Sequence, residues 1–188
     1  MFPRRVMERH EHAKGCMHTT PGPRPYESKI VRADALLALR ASAKAEGRRF
    51  VFTNGCFDIL HQGHVDYLLF ARQQGDLLAV GMNSDASVRR LKGELRPIMP
   101  QEERAGILAA LEAVDYVTIF DETHVEGLIN SLLPDVLVKG GDRKDWVCGR
   151  EIVEGHGGKV VLAPVAQGRS TTNVIQRVLE LYARTGAV

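Results

Sequence analysis

From Ala33 onwards, the chain alternates between two hydrophobic rhythms. "ADALLALRASAKAEG" spaces its apolar residues at helical intervals and stops at Gly47. Short apolar runs follow, "RFVFTNG", "DLLAVGMN", "DYVTIF", "DVLVKGG" and "KVVLAPV". Between them helices are predicted near residues 63–74, 84–91, 101–113, 124–133 and 149–156, with a final helix from Ser170 to about Ala183. The runs are continuously apolar, as strands buried on both faces are, so the expected fold class is α/β, a five-stranded parallel sheet with helices on both faces. Ligands of such sheets bind beyond the carboxyl ends of the strands, where the winding reverses. Candidate chemistry is therefore sought at that edge.

The first run ends "TNGCFDILHQGH", collecting Thr53, Asn54, Asp58, His61 and His64 at the strand end. Gly55 and Gly63 permit close backbone approach there. A helix starting near Gly63 points unpaired N–H groups and a partial positive charge into the same space. Two imidazoles three residues apart beside that helix start can donate to phosphate oxygens without a large basic patch. Alone, the motif more often marks a helix-capping His61 and a His64 packed under a loop. Three further strand ends carry matching groups: "LVKGGDR" brings Lys139, Gly140 and Asp142, "GMNSDASVRRLKG" brings Asn83, Asp85 and Lys92, and "QGRSTTNVI" brings Ser170, Thr171 and Thr172 to another helix start. Arg104 in "PQEERAGIL" either faces phosphate or pairs with an acid.

Composition narrows the classes. The 188 residues, 44% hydrophobic and 26% charged, suit one globular domain. Residues 1–27 mix charges, histidines and "TTPGPRP" without period and read as a mobile extension, leaving 28–188 as the domain. That extension carries five basic and three acidic residues, so the net +2 belongs to it and the body is neutral. A basic face for nucleic acid is thus not expected. Three widely spaced cysteines suggest no disulfide framework, and no apolar run is long enough for a membrane span. A soluble, cytoplasmic protein is expected.

Taken in order, "FTNGCFDILHQGH", "VGMNSDASVRRLKG", "RPIMPQEERAGILAAL", "PDVLVKGGD" and "GRSTTNVI" resemble the HxGH nucleotidylyltransferases over residues 29–182, and within them the adenylyltransferases of the ADP-heptose pathway. The resemblance implies a Rossmann-like sheet. It implies transfer of AMP from ATP, with Mg²⁺, to D-glycero-β-D-manno-heptose 1-phosphate, releasing pyrophosphate and supplying ADP-heptose for lipopolysaccharide inner-core synthesis. On the same reading His61, His64 and Lys92 are catalytic, acting on the triphosphate. Thr53, Asn54, Gly55, Phe57, Gly63, Lys139, Gly140, Asp142, Ser170, Thr171 and Thr172 hold the nucleotide. Cys56, Asp58, Asn83, Asp85 and Arg104 lie on the sugar-phosphate side, with Cys56 a packing residue and not a nucleophile; no residue is assigned as a metal ligand. A homodimer is the expected assembly.

Relatives often carry this unit behind a sugar kinase, and the chain reads as the stand-alone transferase. It departs from them after "KGGD", where Arg143 replaces a common aromatic and Trp146 follows. The nearest alternative is a cytidylyltransferase acting on glycerol 3-phosphate or a related alcohol phosphate, which shares the HxGH and Ser-Thr-Thr elements. From another class, a non-catalytic nucleotide-binding regulator would keep the pocket without releasing pyrophosphate. Residues 91–99, "LKGELRPIM", lack periodicity and are expected to form a loop that closes over ATP.

Overall fold

The computed structural model describes residues 24–141, 147–164 and 168–185. Five strands alternate with helices: α1 (Ala33–Ala45), β1 (Phe50–Gly55), α2 (Gln62–Arg72), β2 (Leu77–Asn83), α3 (Asp85–Lys92), α4 (Gln101–Ala110), β3 (Tyr116–Phe120), α5 (Glu126–Leu132), β4 (Val136–Gly140), α6 (Arg150–Gly155), β5 (Lys159–Ala163) and α7 (Thr171–Thr185). The strands pair in parallel in the order β3-β2-β1-β4-β5. This is the Rossmann-like α/β sheet expected from the apolar runs.

Period-two alternation sorts the strand residues onto two cores. Val51, Leu78, Val80, Met82, Val136 and Val138 pack on one face against Leu68 and Ala71 of α2 and Ala105, Leu108 and Ala109 of α4. Phe50, Phe52, Leu77, Ala79 and Leu137 pack on the other against Leu36 and Ala43 of α1, Leu128, Ile129 and Leu132 of α5, and Val153 of α6. Both faces are thus covered, which is why the runs read as continuously apolar. Gly81 of β2 has no room for a side chain, since a Cβ there would lie 2.7 Å from Cζ of Phe52.

Partly buried carboxylates close the strand starts. Asp135 accepts from Phe50 N at 2.7 Å, and Asp115 accepts from Leu78 N at 2.8 Å. The stretch expected to be a mobile extension is described from Arg24, whose guanidinium donates to Asp115 O at 3.3 Å. A short 3-10 turn, Tyr26–Lys29, follows, and Val31 N donates to Val117 O at 2.9 Å beside β3. The expected boundary at residue 28 falls inside that turn. Among the described residues no helix is long and apolar enough to cross a membrane.

β1 neighbours β2 on one side and β4 on the other, so the winding reverses between β1 and β4. The crevice beyond their carboxyl ends is the place where this topology puts a ligand.

Candidate active site

A cavity of about 810 Å³ opens at that crevice. β1 delivers Asn54 and Gly55 to it, and β4 delivers Lys139 and Gly140. Lys139 Nζ donates to Asn54 Oδ1 and joins the two strand ends across the switch point. Phe57 then turns the chain with a φ of 45°, a left-handed conformation unfavourable for a bulky side chain. Its ring packs against His64, with centroids 5.3 Å apart.

His61 occupies the N-cap position of α2 through its backbone, accepting from His64 N at 2.9 Å and Val65 N at 3.3 Å, while its side chain makes no cap bond. The two imidazoles stack, with centroids 3.9 Å apart and planes 21° from parallel, and both line the cavity. Burial lowers the His61 pKa, and the Arg169 charge adds to the effect. Burial, and then the His61 charge, pull His64 down to about 4. His64 is therefore neutral at pH 7. Each ring keeps a buried Nδ1 without a partner.

The glycine between the histidines has a steric reason. A Cβ on Gly63 would stand 3.1 Å from His61 Cε1 and Nδ1 and 3.2 Å from Arg169 Cβ. Its absence lets the turn before α7 close onto the start of α2. Arg169 seals that approach with an ion pair to Asp66 of α2 at 2.9 Å. Gly168 takes a φ of 74°, Asn173 donates to its carbonyl at 2.8 Å, and Ser170 Oγ accepts from Asn173 N at 3.1 Å. Ser170, Thr171 and Thr172 thus line the same cavity as the histidines, and two helix N-termini face one space.

The structure brings together Asn54, Gly55, Cys56, Phe57, Asp58, His61, Gly63, His64, Asn83, Lys92, Lys139, Gly140, Ser170, Thr171 and Thr172 around this cavity. Asp142, together with Arg143 and Trp146, lies outside the described residues. Thr53, Asp85 and Arg104 do not line the cavity. Thr53 is fully buried and bonds Val138 O at 3.0 Å and the Tyr67 hydroxyl at 2.5 Å. Arg104 is buried under the site and pairs with Asp85 at 2.6 Å. It donates to the carbonyls of Met99 at 3.0 Å, Asn83 at 3.0 Å and Cys56, joining the ends of β1 and β2 to α4. Of the two alternatives open for Arg104, the structure shows pairing with an acid, Asp85, while Thr53 bonds the Tyr67 hydroxyl and a backbone carbonyl.

Asp58 lines the cavity, but its carboxylate is fully buried and bonded to the α3–α4 loop. It accepts from Ile98 N at 2.8 Å, from Met99 N at 2.9 Å and from Arg96 Nε. Burial pushes its pKa up, and the bonds from Met99, Ile98 and Arg96 outweigh that, leaving it below the ordinary value. The α3–α4 loop is therefore pinned to the histidine turn near Arg96–Met99, while Leu95 at its tip stays 88% exposed. Arg96, which the sequence pattern did not single out, joins Lys92 in the cavity wall, as do Tyr67, His124 and Asn173. Cys56 is partly buried, its thiol pKa raised by that burial, and its Sγ lies 3.9 Å from Asn83 Oδ1, as a packing residue's would.

Among the described residues no group of three His, Cys, Asp or Glu side chains could hold a metal. Mg²⁺ commonly binds through substrate phosphates and water, with few protein ligands. What the chain does offer is neutral imidazoles, cations and helix N-termini around one hollow, an arrangement for stabilising a polyphosphate.

A fold of this topology, with an HxGH turn and a Ser-Thr-Thr helix start sharing the switch-point crevice, defines a nucleotidyltransferase. The chain belongs to the family described as Cytidylyltransferase-like, which it matches over residues 52–178. It is 57% identical over 157 residues to the Bifunctional protein HldE of Geobacter sulfurreducens, covering 83% of this chain and 32% of that one. It is likewise 57% identical over 158 residues to the protein of that name from Pelobacter propionicus, covering 84% and 32%. The chain spans about a third of the length of these relatives. Among solved structures it resembles a lipopolysaccharide core biosynthesis protein from Thermoplasma volcanium, with TM-score 0.54, 26% identity, and coverage of 65% of this chain and 100% of that one. Pantoate-beta-alanine ligase from Francisella tularensis, at 15% identity and TM-score 0.57 over 76% of this chain and 68% of that one, shares the fold.

Proposed function

We propose that this nucleotidyltransferase transfers AMP from ATP to D-glycero-β-D-manno-heptose 1-phosphate, forming ADP-heptose and pyrophosphate for lipopolysaccharide inner-core synthesis. The observation that carries the reading is the meeting of the stacked His61–His64 pair with the Ser170–Thr172 helix start around one anion-sized hollow. The heptose assignment rests on the ordered motifs and on relatives above 50% identity. On this reading ATP and the sugar 1-phosphate are the partners, the work is cytoplasmic and a homodimer is the expected assembly.

In the proposed reaction an oxygen of the sugar phosphate attacks the α-phosphorus of ATP in line, and the bond to pyrophosphate breaks. The nucleophile is already anionic at neutral pH and needs no general base. The site supplies alignment and charge stabilisation. Neutral imidazoles suit that task, since each carries one N–H donor and repels no neighbouring cation. Asn54, Gly55, Phe57 and Gly63 shape the nucleotide side with Lys139 and Gly140. Lys92, at the end of α3, and Arg96, in the pinned loop, face the departing pyrophosphate. Cys56, Asp58 and Asn83 wall the sugar-phosphate side, while Thr53, Asp85 and Arg104 hold that wall from behind. Mg²⁺ would arrive with the triphosphate and neutralise part of its charge.

A screen of pyrophosphate release tests the assignment, with sugar 1-phosphates and glycerol 3-phosphate each offered with ATP and with CTP. The expected pair is heptose 1-phosphate with ATP. Preference for CTP with glycerol 3-phosphate would replace this reading by the cytidylyltransferase one. Nucleotide binding without pyrophosphate release from any pair would make the protein a regulator.

A further inference from the structure

The opposite edge of the sheet, at the strand starts, carries a second cavity of about 640 Å³. Five cations line it, Arg40, Lys44, Arg48, Arg49 and Lys159, against two carboxylates. Asp135 is tied to the fold through both oxygens, and the exposed Asp76 through one. Asp135 binds Phe50 N and Arg40 Nη2, each at 2.7 Å, and Asp76 binds Arg49 N at 2.7 Å. Glu46 pairs with Arg48 at 2.7 Å, whereas Lys44, Arg49 and Lys159 are exposed and form no ion pair among the described residues.

Arg40 marks the depth of the cavity. Its side chain is 9% exposed, and its Nε and Nη2 donate to Leu133 O at 3.2 and 3.0 Å. Nη1 is buried and has no acceptor. A guanidinium cannot lose its proton to relieve this, so the group stays charged and short of a partner.

The carbonyl ends of α1 and α6 also face this edge and offset about half a charge each. Their own carbonyls, however, are already bonded: Ser42 and Lys44 accept from Glu46 and Gly47, and Val153 and Glu154 from His156 and Gly157. Helix dipoles account for part of the excess positive charge but leave Arg40 Nη1 unpaired.

We propose that this cavity binds a small phosphorylated anion, at a site separate from the nucleotide cavity on the far side of the sheet. The guanidinium floor and ammonium rim match phosphate oxygens, and the volume lies within the range of small-molecule sites. The chemistry is shared by inorganic phosphate, pyrophosphate and nucleoside diphosphates.

The full chain, labelled for amide NMR, is titrated in separate arms with inorganic phosphate, pyrophosphate and ADP. Gly47 and Gly157, which line the cavity, report this site, and Gly63 and Gly168 report the other. Saturable shifts of Gly47 and Gly157 are expected in at least one arm, and the arm with the tightest titration identifies the form of phosphate preferred. The exposed double variant Lys44→Ser, Lys159→Ser is expected to weaken that titration about tenfold or more, through loss of two charged contacts. Its Gly63 and Gly168 titrations and its pyrophosphate release without added effector should match the parent. No shift at Gly47 and Gly157 in any arm, or the same affinity in the double variant, overturns the proposal. Neither readout depends on which sugar the enzyme uses.

Discussion

Replacing Asp58 by Asn keeps the shape of the side chain and removes its charge, which separates the anchoring of the α3–α4 loop from the packing around it. The carboxylate is fully buried and takes two backbone N–H bonds, from Ile98 and Met99, together with the Arg96 guanidinium. Asparagine can still accept from the backbone, but one of its two terminal atoms becomes a donor and confronts a donor. Breaking a buried ion pair by removing one partner costs about 3–5 kcal/mol, and the surviving acceptor lowers the expected loss to about 2–4 kcal/mol. For a domain of this size that is a fall in Tm of roughly 4–16 °C. Because Arg96 lines the candidate active-site cavity from this loop and Lys92 lines it from the end of α3 just before, the KM for ATP should also rise, by about tenfold. The assay is a thermal melt paired with steady-state pyrophosphate release. Asp135→Asn is the control, since it removes a half-buried carboxylate bound to Phe50 N and Arg40 at the other edge of the sheet. An unchanged ATP KM in Asp58→Asn, with a drop in Tm equal to that of Asp135→Asn, would show that the loop anchor serves stability alone.

Three further outcomes are expected. His64→Ala should lower turnover about 10²-fold or more while the protein stays folded, the usual consequence of losing a preorganised donor, and near-parent turnover in a folded variant would remove that role. Gly63→Ala should leave the fold intact and cut turnover about tenfold or more, because the new methyl displaces the His61 ring and Arg169; a crystal structure with His61 unmoved and full activity would contradict it. In denaturant melts, stability should fall between pH 6.5 and about 4, because the unfolded chain protonates His64 below 6.5 while the folded one resists to about 4. The shift corresponds to at most about 3 kcal/mol, or about 2 after allowance for residual solvent access. Asp58, whose pKa is lowered, loses its contribution only below that window, and His64→Ala should flatten the slope within it.

Much of this architecture was readable in the apolar pattern, since the five continuous runs correspond to β1–β5. Both helix starts were legible for a local reason: "HQGH" and "GRSTT" each combine a glycine with capping or donor side chains. The second layer was harder to see. Thr53, Asp58, Asp85 and Arg104 are the residue types a phosphate or sugar site uses, and nothing local separates a ligand contact from a buried tie to a distant backbone carbonyl or amide. Arg104 meets Cys56 and Asn83 only after β1, β2 and α4 assemble. Arg96 sits in a loop without period, and its place in the wall follows from a carboxylate 38 residues earlier. The strand-start cavity escaped for the same reason, its cations coming from α1, the turn before β1 and the start of β5.

A complex with a non-hydrolysable ATP analogue tests the shared cavity most directly. The triphosphate should lie between the His61 and His64 imidazoles and the first-turn N–H groups of α7, touching both sets at once. A triphosphate held by one set alone, or seated instead among Arg40, Lys44 and Lys159, would contradict the account.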